Sequence, residues 1–417
     1  MSTFADLGIA PALLNAVNKL GFTTPTPIQE KAIPIGIEGK DLVGIAQTGT
    51  GKTLAFGIPM IQRLAIVKGG GLVILPTREL ALQVEEEFKK IGQATGLRVA
   101  VLIGGAGMGP QIAALRRNPN VIVATPGRLI DHMEQKNLRL DMVKILVLDE
   151  ADRMLDMGFA PQLKKILAQI TKDRQTMLFS ATMPSEIMQM ASREMRLPLR
   201  IEVAPQGSTA DKVTQEIFIV DKAQKTNLLQ KILSESQMTT LVFTRTKFGA
   251  KRLARSVRDM GHSAVEIHGN RSLAQRTEAL SGFKTGRYRV LIATDIAARG
   301  IDVVGIGLVV NFDLPTVTED YVHRIGRTAR GGAAGHAISF VTREERRDLQ
   351  DIERLIRKTL PIRSLPNLPP PPPRPAYTET NNRTFRGGFG RGERQDRARG
   401  QQGTSSSGRD HKYRSRG

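Results

Sequence analysis

Cysteine is absent from the 417-residue chain, which excludes disulfides, thiolate zinc sites and cysteine nucleophiles together. Any bound metal is left to oxygen or imidazole ligands. Long apolar runs are missing too: none approaches the roughly 18 to 20 residues that a bilayer-crossing helix needs. The opening MSTFADLGIAPALL shows neither the basic start and apolar core of a secretory signal nor the Arg- and Ser-rich bias of a transit peptide. The expected setting is therefore the cytoplasm, with no membrane partner. What the chain has in excess is positive charge, +21 with a pI of about 10.5. A generic basic surface that aids solubility is the plain reading. A polyanionic partner, nucleic acid first, is the sharper one, because each Lys or Arg that meets a phosphate releases condensed counterions.

The length exceeds one ordinary hydrophobic core, so two folded domains and a tail are expected. Short apolar runs recur with helical segments between them: Leu72–Leu75, Val99–Ile103, Val121–Ala124, Ile145–Leu148 and Met177–Phe179, then Ile217–Val220, Leu241–Phe243, Val265–Ile267, Val290–Ala293, Leu308–Asn311 and Ala337–Val341. Continuous Val/Ile/Leu runs of this length mark strands buried on both faces, the habit of parallel sheets covered by helices. The fold class is α/β. The small, turn-prone stretch from Ala204 to Thr209 separates the two series, which sets domains at 1–203 and 212–360 with a linker at 204–211. From residue 361 the apolar pattern stops. Pro369–Pro373 is an unbroken proline run, and the Gly, Ser, Gln and Arg beyond it bury too little to fold.

That tail carries twelve Lys and Arg against four Asp and Glu, so 12 − 4 = 8 of the net +21 charges lie there and the remainder makes the folded part basic in its own right. Arg383, Phe385, Arg386, Phe389 and Arg391 interleave rings and guanidinium groups, a composition suited to stacking and phosphate contact with single-stranded nucleic acid. A merely solubilising tail is the alternative.

The segment Ala46-Gln47-Thr48-Gly49-Thr50-Gly51-Lys52-Thr53 matches a phosphate-binding loop except that Ala46 stands in the first glycine's place. It follows a strand-like run at 41–45 and opens a helix. Backbone N–H groups there would cradle phosphates, Lys52 would neutralise the β/γ oxygens and Thr53 would ligate Mg2+. Asp149-Glu150-Ala151-Asp152 leaves the apolar run Ile145–Leu148. An isolated acidic run is ordinarily a solvated turn, but at the carboxyl end of a buried strand Asp149 can hold the metal and Glu150 the attacking water. Further on, Arg324, Arg327 and Arg330 recur every third residue after His323, a spacing that places them on one helical face. An isolated arginine is usually a surface ion pair. In a nucleotide site that lacks other cations, these would supply charge to the departing phosphate.

Taken in order, these motifs resemble those of the DEAD-box RNA helicases, superfamily 2 ATPases with two tandem RecA-like domains, over about residues 4 to 345. The resemblance includes the run from Gly21 to Gln29, with Phe4 upstream, and implies that Phe22 stacks on the adenine of ATP while Gln29 bonds its edge. Pro76-Thr77-Arg78, Gly104-Gly105 and Thr125-Pro126-Gly127-Arg128 would line the RNA backbone from the first domain, with Arg245 and Thr294 near it in the second. Ser180 and Thr182, with Asp152 and His323, would couple nucleotide state to strand separation. Asp302 would accept from the ribose, and Arg327 and Arg330 would be the arginine fingers. Ala46 is the family's usual residue. Leu273 departs from it, since the family often has glutamine three residues before Arg276.

The resemblance implies an RNA-stimulated ATPase that opens short duplexes, and its bacterial RhlE-like subgroup implies work with ribosomal or RNA-degradation assemblies. A DNA-directed relative, and an RNA chaperone whose tail does the work beside an idle ATPase, are the competing readings. Deleting residues after 361 is expected to weaken RNA affinity and flatten its salt dependence, with basal ATPase intact. Binding titrations across a salt series check this, and an unchanged slope would leave the tail a solubiliser.

Overall fold

The apolar runs condense into two parallel sheets. In a computed structural model of the protein, the described residues are 2–47, 49–203, 213–298, 303, 305–329 and 335–369, with residue 296 described by its backbone alone. The expected linker 204–211 lies outside them, as do Thr48, Asp302, Arg330 and the chain beyond residue 369.

The first sheet comprises β1 (Leu42–Ile45), β2 (Gly70–Ile74), β3 (Val99–Leu102), β4 (Val121–Ala124), β5 (Val143–Leu148), β6 (Gln175–Ser180) and β7 (Leu199–Glu202), in the order β3-β4-β2-β5-β6-β1-β7. The second comprises β8 (Val213–Ile219), β9 (Thr240–Phe243), β10 (Ala264–Ile267), β11 (Val290–Ala293), β12 (Leu308–Asn311), β13 (Gly335–Val341) and β14 (Ile362–Arg363), in the order β10-β11-β9-β12-β13-β8-β14. Neighbouring strands run parallel, for example β1 with β6, β2 with β5 and β13 with β8. Helices cover both faces, giving each sheet two apolar clusters. The α/β architecture expected from the sequence therefore holds, and among the described residues no helix is long and apolar enough to cross a membrane.

Two strands lie outside the apolar runs. Three of the four residues of β7 and both of β14 are exposed. Both are edge strands held through backbone groups, so alternation or continuity of apolar residues does not announce them. Ile362 and Arg363 pair with Ile217 and Phe218, and Arg363 Nε donates to Glu216 Oε1 at 2.8 Å. The chain thus stays in the sheet past Leu360, where the apolar pattern ends and a structureless tail was expected.

Sheet order places the chemistry. Strands β5, β6 and β1 are consecutive neighbours, so the loops leaving their carboxyl ends meet at one edge of the sheet, where open α/β folds bind ligands. Gly44 of β1 lies in register with Phe179 of β6, and a Cβ on Gly44 would stand 2.6 Å from that ring. Phe179 packs on Phe56 with centroids 5.5 Å apart, and Phe56 belongs to the helix Lys52–Leu64. A bare backbone at Gly44 thus lets the phosphate-loop helix seat against the sheet. Gly44→Val is expected to destabilise the first domain by about 1–3 kcal/mol through overpacking, read as a lower urea midpoint. A parent-like midpoint would contradict this packing.

Candidate functional site

The loop after β1 turns through Gly49 and Gly51, both at φ 85°, a left-handed conformation that glycine adopts at little cost. Four contacts hold it. Ala46 N donates to Ser180 O at 3.0 Å, Thr50 Oγ1 to Gln47 O at 2.8 Å, Thr26 Oγ1 to Thr50 O at 2.7 Å, and Gln29 Nε2 to Gly51 O at 3.0 Å. Gln29 Oε1 also accepts from Thr26 N at 2.9 Å, closing a capping box on the helix Pro27–Ile37. Gln29 is therefore a splint for the loop, and one N–H and one lone pair of its amide remain for a base edge. Phe22 is exposed nearby in sequence.

Lys52 opens the helix Lys52–Leu64 and is only 5% exposed. Its Nζ has no hydrogen-bond partner among the described residues, and its ion pair to Asp149 Oδ1 spans 3.5 Å. Burial pushes the Asp149 carboxyl above the usual carboxylate range; the Lys52 ammonium pulls it down, and Glu150 adds to the rise. A buried ammonium with unspent donors beside a carboxylate that resists ionisation is a site that a phosphate and a divalent cation would complete. Thr53 and Asp149 offer hard oxygen donors. Among the described residues no group of three or more His, Cys, Asp or Glu is placed to hold a metal ion.

Glu150 follows at φ 53° and ψ 48°, the N-cap of the short helix Ala151–Asp156, and is buried. Its Oε2 accepts from Arg153 Nη1 at 3.2 Å. Asp152 faces the neighbouring strand end instead. Its Oδ2 accepts from Ala181 N at 3.1 Å, Thr182 N at 2.8 Å and Thr182 Oγ1 at 3.0 Å, while Asp152 N donates to Ser180 Oγ at 3.2 Å. The acidic run is thereby stitched to the loop after β6.

In the second domain Arg324 and Arg327 do not share a helical face, and Arg330 lies outside the described residues. The helix Glu319–Ile325 ends at Gly326, and Arg324 alone lies on it. Arg324 is a buried brace: Nε and Nη2 donate to Asp295 Oδ1 and Oδ2 at 2.5 and 2.7 Å, and Nη1 to Asp313 O at 2.6 Å and Asn311 Oδ1 at 3.1 Å. Its guanidinium also stacks on Phe243 at 4.9 Å. Arg327, past the helix end, is buried, with Nε donating to His323 O at 3.2 Å. Arg327 and His323 line one small cavity with Arg153 of the first domain.

A second cleft, of about 420 Å³, is walled by Pro76, Thr77, Arg78, Gly104, Gly127 and Arg128. Thr125 reaches it too, beside Pro126 at the start of the helix Pro126–Glu134, and Gly105 turns next to Gly104 at φ 77°. The opposite wall is Gly269, Arg271 and Arg276. Arg245 and Thr294 are not among the residues lining it. Arg245 is turned to its own domain, Nη2 meeting Glu345 Oε1 at 3.0 Å, and half-buried Thr294 caps the short helix Asp295–Ala298 through its carbonyl.

Across this cleft Arg276 Nε meets Glu79 Oε1 at 2.5 Å, both side chains nearly buried. Leu273, one turn earlier on the helix Leu273–Lys284, packs against the first domain's apolar cluster. An apolar contact thus stands where the family's glutamine was expected.

Sequence reading missed Arg153, Gln111 and His132, and it placed Glu79 in the motif Pro76-Thr77-Arg78-Glu79-Leu80 at the RNA without its partner Arg276. Gln111 is a buried amide whose Oε1 accepts from Ile103 N and whose Nε2 donates to the carbonyls of Ile103 and Gly107, each at 3.1 Å. It clamps the Gly104-Gly105 loop. His132 backs it, Nε2 at 3.3 Å from Gln111 Oε1 and Nδ1 at 3.3 Å from Asn137 Nδ2, a pattern that needs the proton on Nε2. The available signal was a polar residue at an inward position of the helix Met108–Arg116.

Burial, then the neighbouring Arg128, holds the His132 imidazole below its ordinary range. Its folded value lies under the unfolded one of about 6.5, so its stabilising effect is complete above that pH and is lost as pH falls through the folded value. Urea midpoints should drop on acidification and drop less in His132→Gln. Equal slopes would remove His132 from the account.

Comparison with known proteins agrees with this geometry. Residues 26–190 match the family model described as DEAD/DEAH box helicase, and residues 224–332 that of the helicase conserved C-terminal domain. The chain is 43% identical over 369 residues to the DEAD-box ATP-dependent RNA helicase CshA of Bacillus subtilis, covering 88% of this chain and 75% of that protein. It is 44% identical over 364 residues to the ATP-dependent rRNA helicase RRP3 of Scheffersomyces stipitis, covering 86% and 75%. Among solved structures, S. cerevisiae Dbp5 bound to RNA and ADP BeF3 matches with a TM-score of 0.79 at 31% identity, over 87% of this chain and 96% of that one. Mss116p bound to ssRNA and AMP-PNP matches with a TM-score of 0.79 at 28% identity, over 87% and 79%. With the phosphate loop, the acidic run and the two parallel sheets in place, the chain belongs to the DEAD-box family of ATP-dependent RNA helicases.

Proposed function

We propose that the protein couples ATP hydrolysis to local opening of short RNA duplexes through two sites completed by domain closure. The carrying observation is the cleft walled by Thr77, Arg78 and Arg128 on one side and Arg271 and Arg276 on the other. Basic and N–H-rich loops from both domains there face a space that a phosphodiester backbone would fill. Backbone contact carries little sequence preference, and a choice of RNA over DNA would rest on the 2′-hydroxyl and A-form shape.

In this reading Phe22 and the remaining amide groups of Gln29 select adenine, and the loop from Ala46 to Thr53 holds the phosphates. Thr53 and Asp149 would hold Mg2+, which when bound would neutralise charge on the phosphates. Glu150 takes the proton of the attacking water as its oxygen bonds to the γ-phosphorus. The bond to the β–γ bridging oxygen breaks, and Lys52, Arg327 and Arg330 stabilise the charge that moves onto the leaving phosphates. Asp302 accepts from the ribose. Asp152, hydrogen-bonded to Ala181 and Thr182, makes movement of the acidic run felt in the loop after β6. His323 does the same from the second domain. Arg245 and Thr294 would reach RNA at the outer margin of the cleft.

Closure follows from linkage: ATP and RNA each bind the closed form better, so each favours the other. The name of RRP3 points to ribosomal RNA as the substrate class, and the basic Gly/Arg tail to an RhlE-like member acting in the cytoplasm on ribosomal or RNA-degradation assemblies. Residues 1–203 and 212–363 would be the two moving bodies, the second carried past the expected limit of 360 by β14.

Lys52→Ala and Glu150→Gln should each lower RNA-stimulated ATP hydrolysis by about a hundredfold or more. Phosphate release by the purified variants measures it, and parent-like turnover in either would remove that residue from the site.

A further inference from the structure

One buried charge in the hydrolytic region has no part in the reading above. Arg153 is 2% exposed and lies one turn after Glu150 on the helix Ala151–Asp156. Its Nη1 meets Glu150 Oε2 at 3.2 Å, with both side chains 3% exposed. Its guanidinium also lines a cavity of about 10 Å³ whose other wall is second-domain, including Asp295, Asp320, His323 and Arg327. That volume is at the lower bound for one water, so the first-domain cation and the second-domain wall are close-packed. Asp295 is already held at two oxygens by Arg324. Asp320 shares this wall, and within the first domain it is the Glu150 carboxylate that Arg153 meets directly.

A guanidinium buried against the Glu150 carboxylate limits where that carboxylate can move. A single flexible glutamate would otherwise sample several rotamers, whereas attack on the γ-phosphorus needs the base within hydrogen-bond reach of one water position. The planar guanidinium restricts where the carboxylate can lie. Arg153 also shares a cavity with Arg327 and His323, so the second-domain wall meets it.

We propose that Arg153 is a positioning residue for hydrolysis: it fixes the Glu150 carboxylate for the attacking water, and the second-domain wall around Arg327 locks it in that pose on closure. This rests on the assignment of Glu150 as base. It differs from a structural or closure role in what it leaves untouched. Nucleotide binding falls to the loop from Ala46 to Thr53, and RNA binding to the cleft, neither of which Arg153 lines.

The test uses the full chain and three variants, Arg153→Met, Arg153→Lys and Glu150→Gln. For Arg153→Met the expected kcat of RNA-stimulated ATPase is about ten- to a hundredfold below parent. The KM for ATP, the half-saturating RNA concentration and RNA affinity with ADP and beryllium fluoride bound should stay within about threefold, as for loss of an interaction needed only in the reaction. Arg153→Lys, which keeps the charge without the planar fork, should recover part of kcat. Parent-like kcat in Arg153→Met overturns the proposal, as does loss of RNA affinity with the analogue in step with kcat. Should Arg153→Met fail to melt cooperatively, Arg153→Lys decides: a folded variant at full parent turnover also overturns it. Glu150→Gln separates the two claims. If it hydrolyses like the parent, the base assignment falls. If it is inactive while Arg153→Met is not, only the positioning role falls.

Discussion

A lysine ammonium held out of water beside a carboxylate that resists ionisation is the constraint on which the rest of this molecule depends. Lys52 and Asp149 lie 3.5 Å apart and nearly buried, too far for a hydrogen bond and too enclosed for solvent to compensate either charge. Such a pair is poor as a stabilising element, and it exists only because the surrounding fold over-determines it. Gly44 lets the Lys52 helix sit down on Phe179, β5 delivers Asp149 to the same edge, and β6 supplies the carbonyl of Ser180 that fixes Ala46. The parallel sheet converts three sequence-distant loops into one charged floor.

The second domain is arranged around the complementary problem of presenting cations without losing them to solvent or to stray carboxylates. Arg324 solves it for the scaffold by filling its guanidinium with Asp295, Asn311 and the carbonyl of Asp313. Arg327 is then left at the domain boundary with its Nε on a backbone oxygen. The boundary itself combines a short Arg276–Glu79 ion pair with the apolar contact of Leu273. An apolar contact is non-directional and tolerates small rotations, whereas the ion pair is geometrically demanding. The two together give a closed arrangement with defined register.

Much of this was legible in the residues, for identifiable reasons. The phosphate loop and the acidic run have fixed local spacing, and buried parallel strands write themselves as uninterrupted Val, Ile and Leu. The strands β7 and β14 were not legible, because edge strands spend backbone hydrogen bonds and leave side chains in water. The spacing of Arg324 and Arg327 misled, since periodicity implies a shared face only while the helix lasts, and this one stops at Gly326. Glu79 and Arg276 are 197 residues apart, and no local pattern announces such a pair. Gln111 and Arg153 are polar residues at inward positions, which composition counts as ordinary helix residues until their partners are known. Arg245 and Thr294 carry the family's motif but do not line the cleft: Arg245 meets Glu345, and the Thr294 carbonyl caps the helix Asp295–Ala298.

The backbone at Glu150 has a consequence for how this site responds to random change. A left-handed conformation costs a residue with a β-carbon roughly 1–2 kcal/mol, and glycine or asparagine would occupy it with less strain. Relieving that strain would remove the carboxylate that the buried Arg153 guanidinium meets, and breaking a buried ion pair costs about 3–5 kcal/mol, more than the strain itself. The uncomfortable turn is thus retained by its ion pair as well as by the reaction, so change at Glu150 costs the protein stability and turnover together.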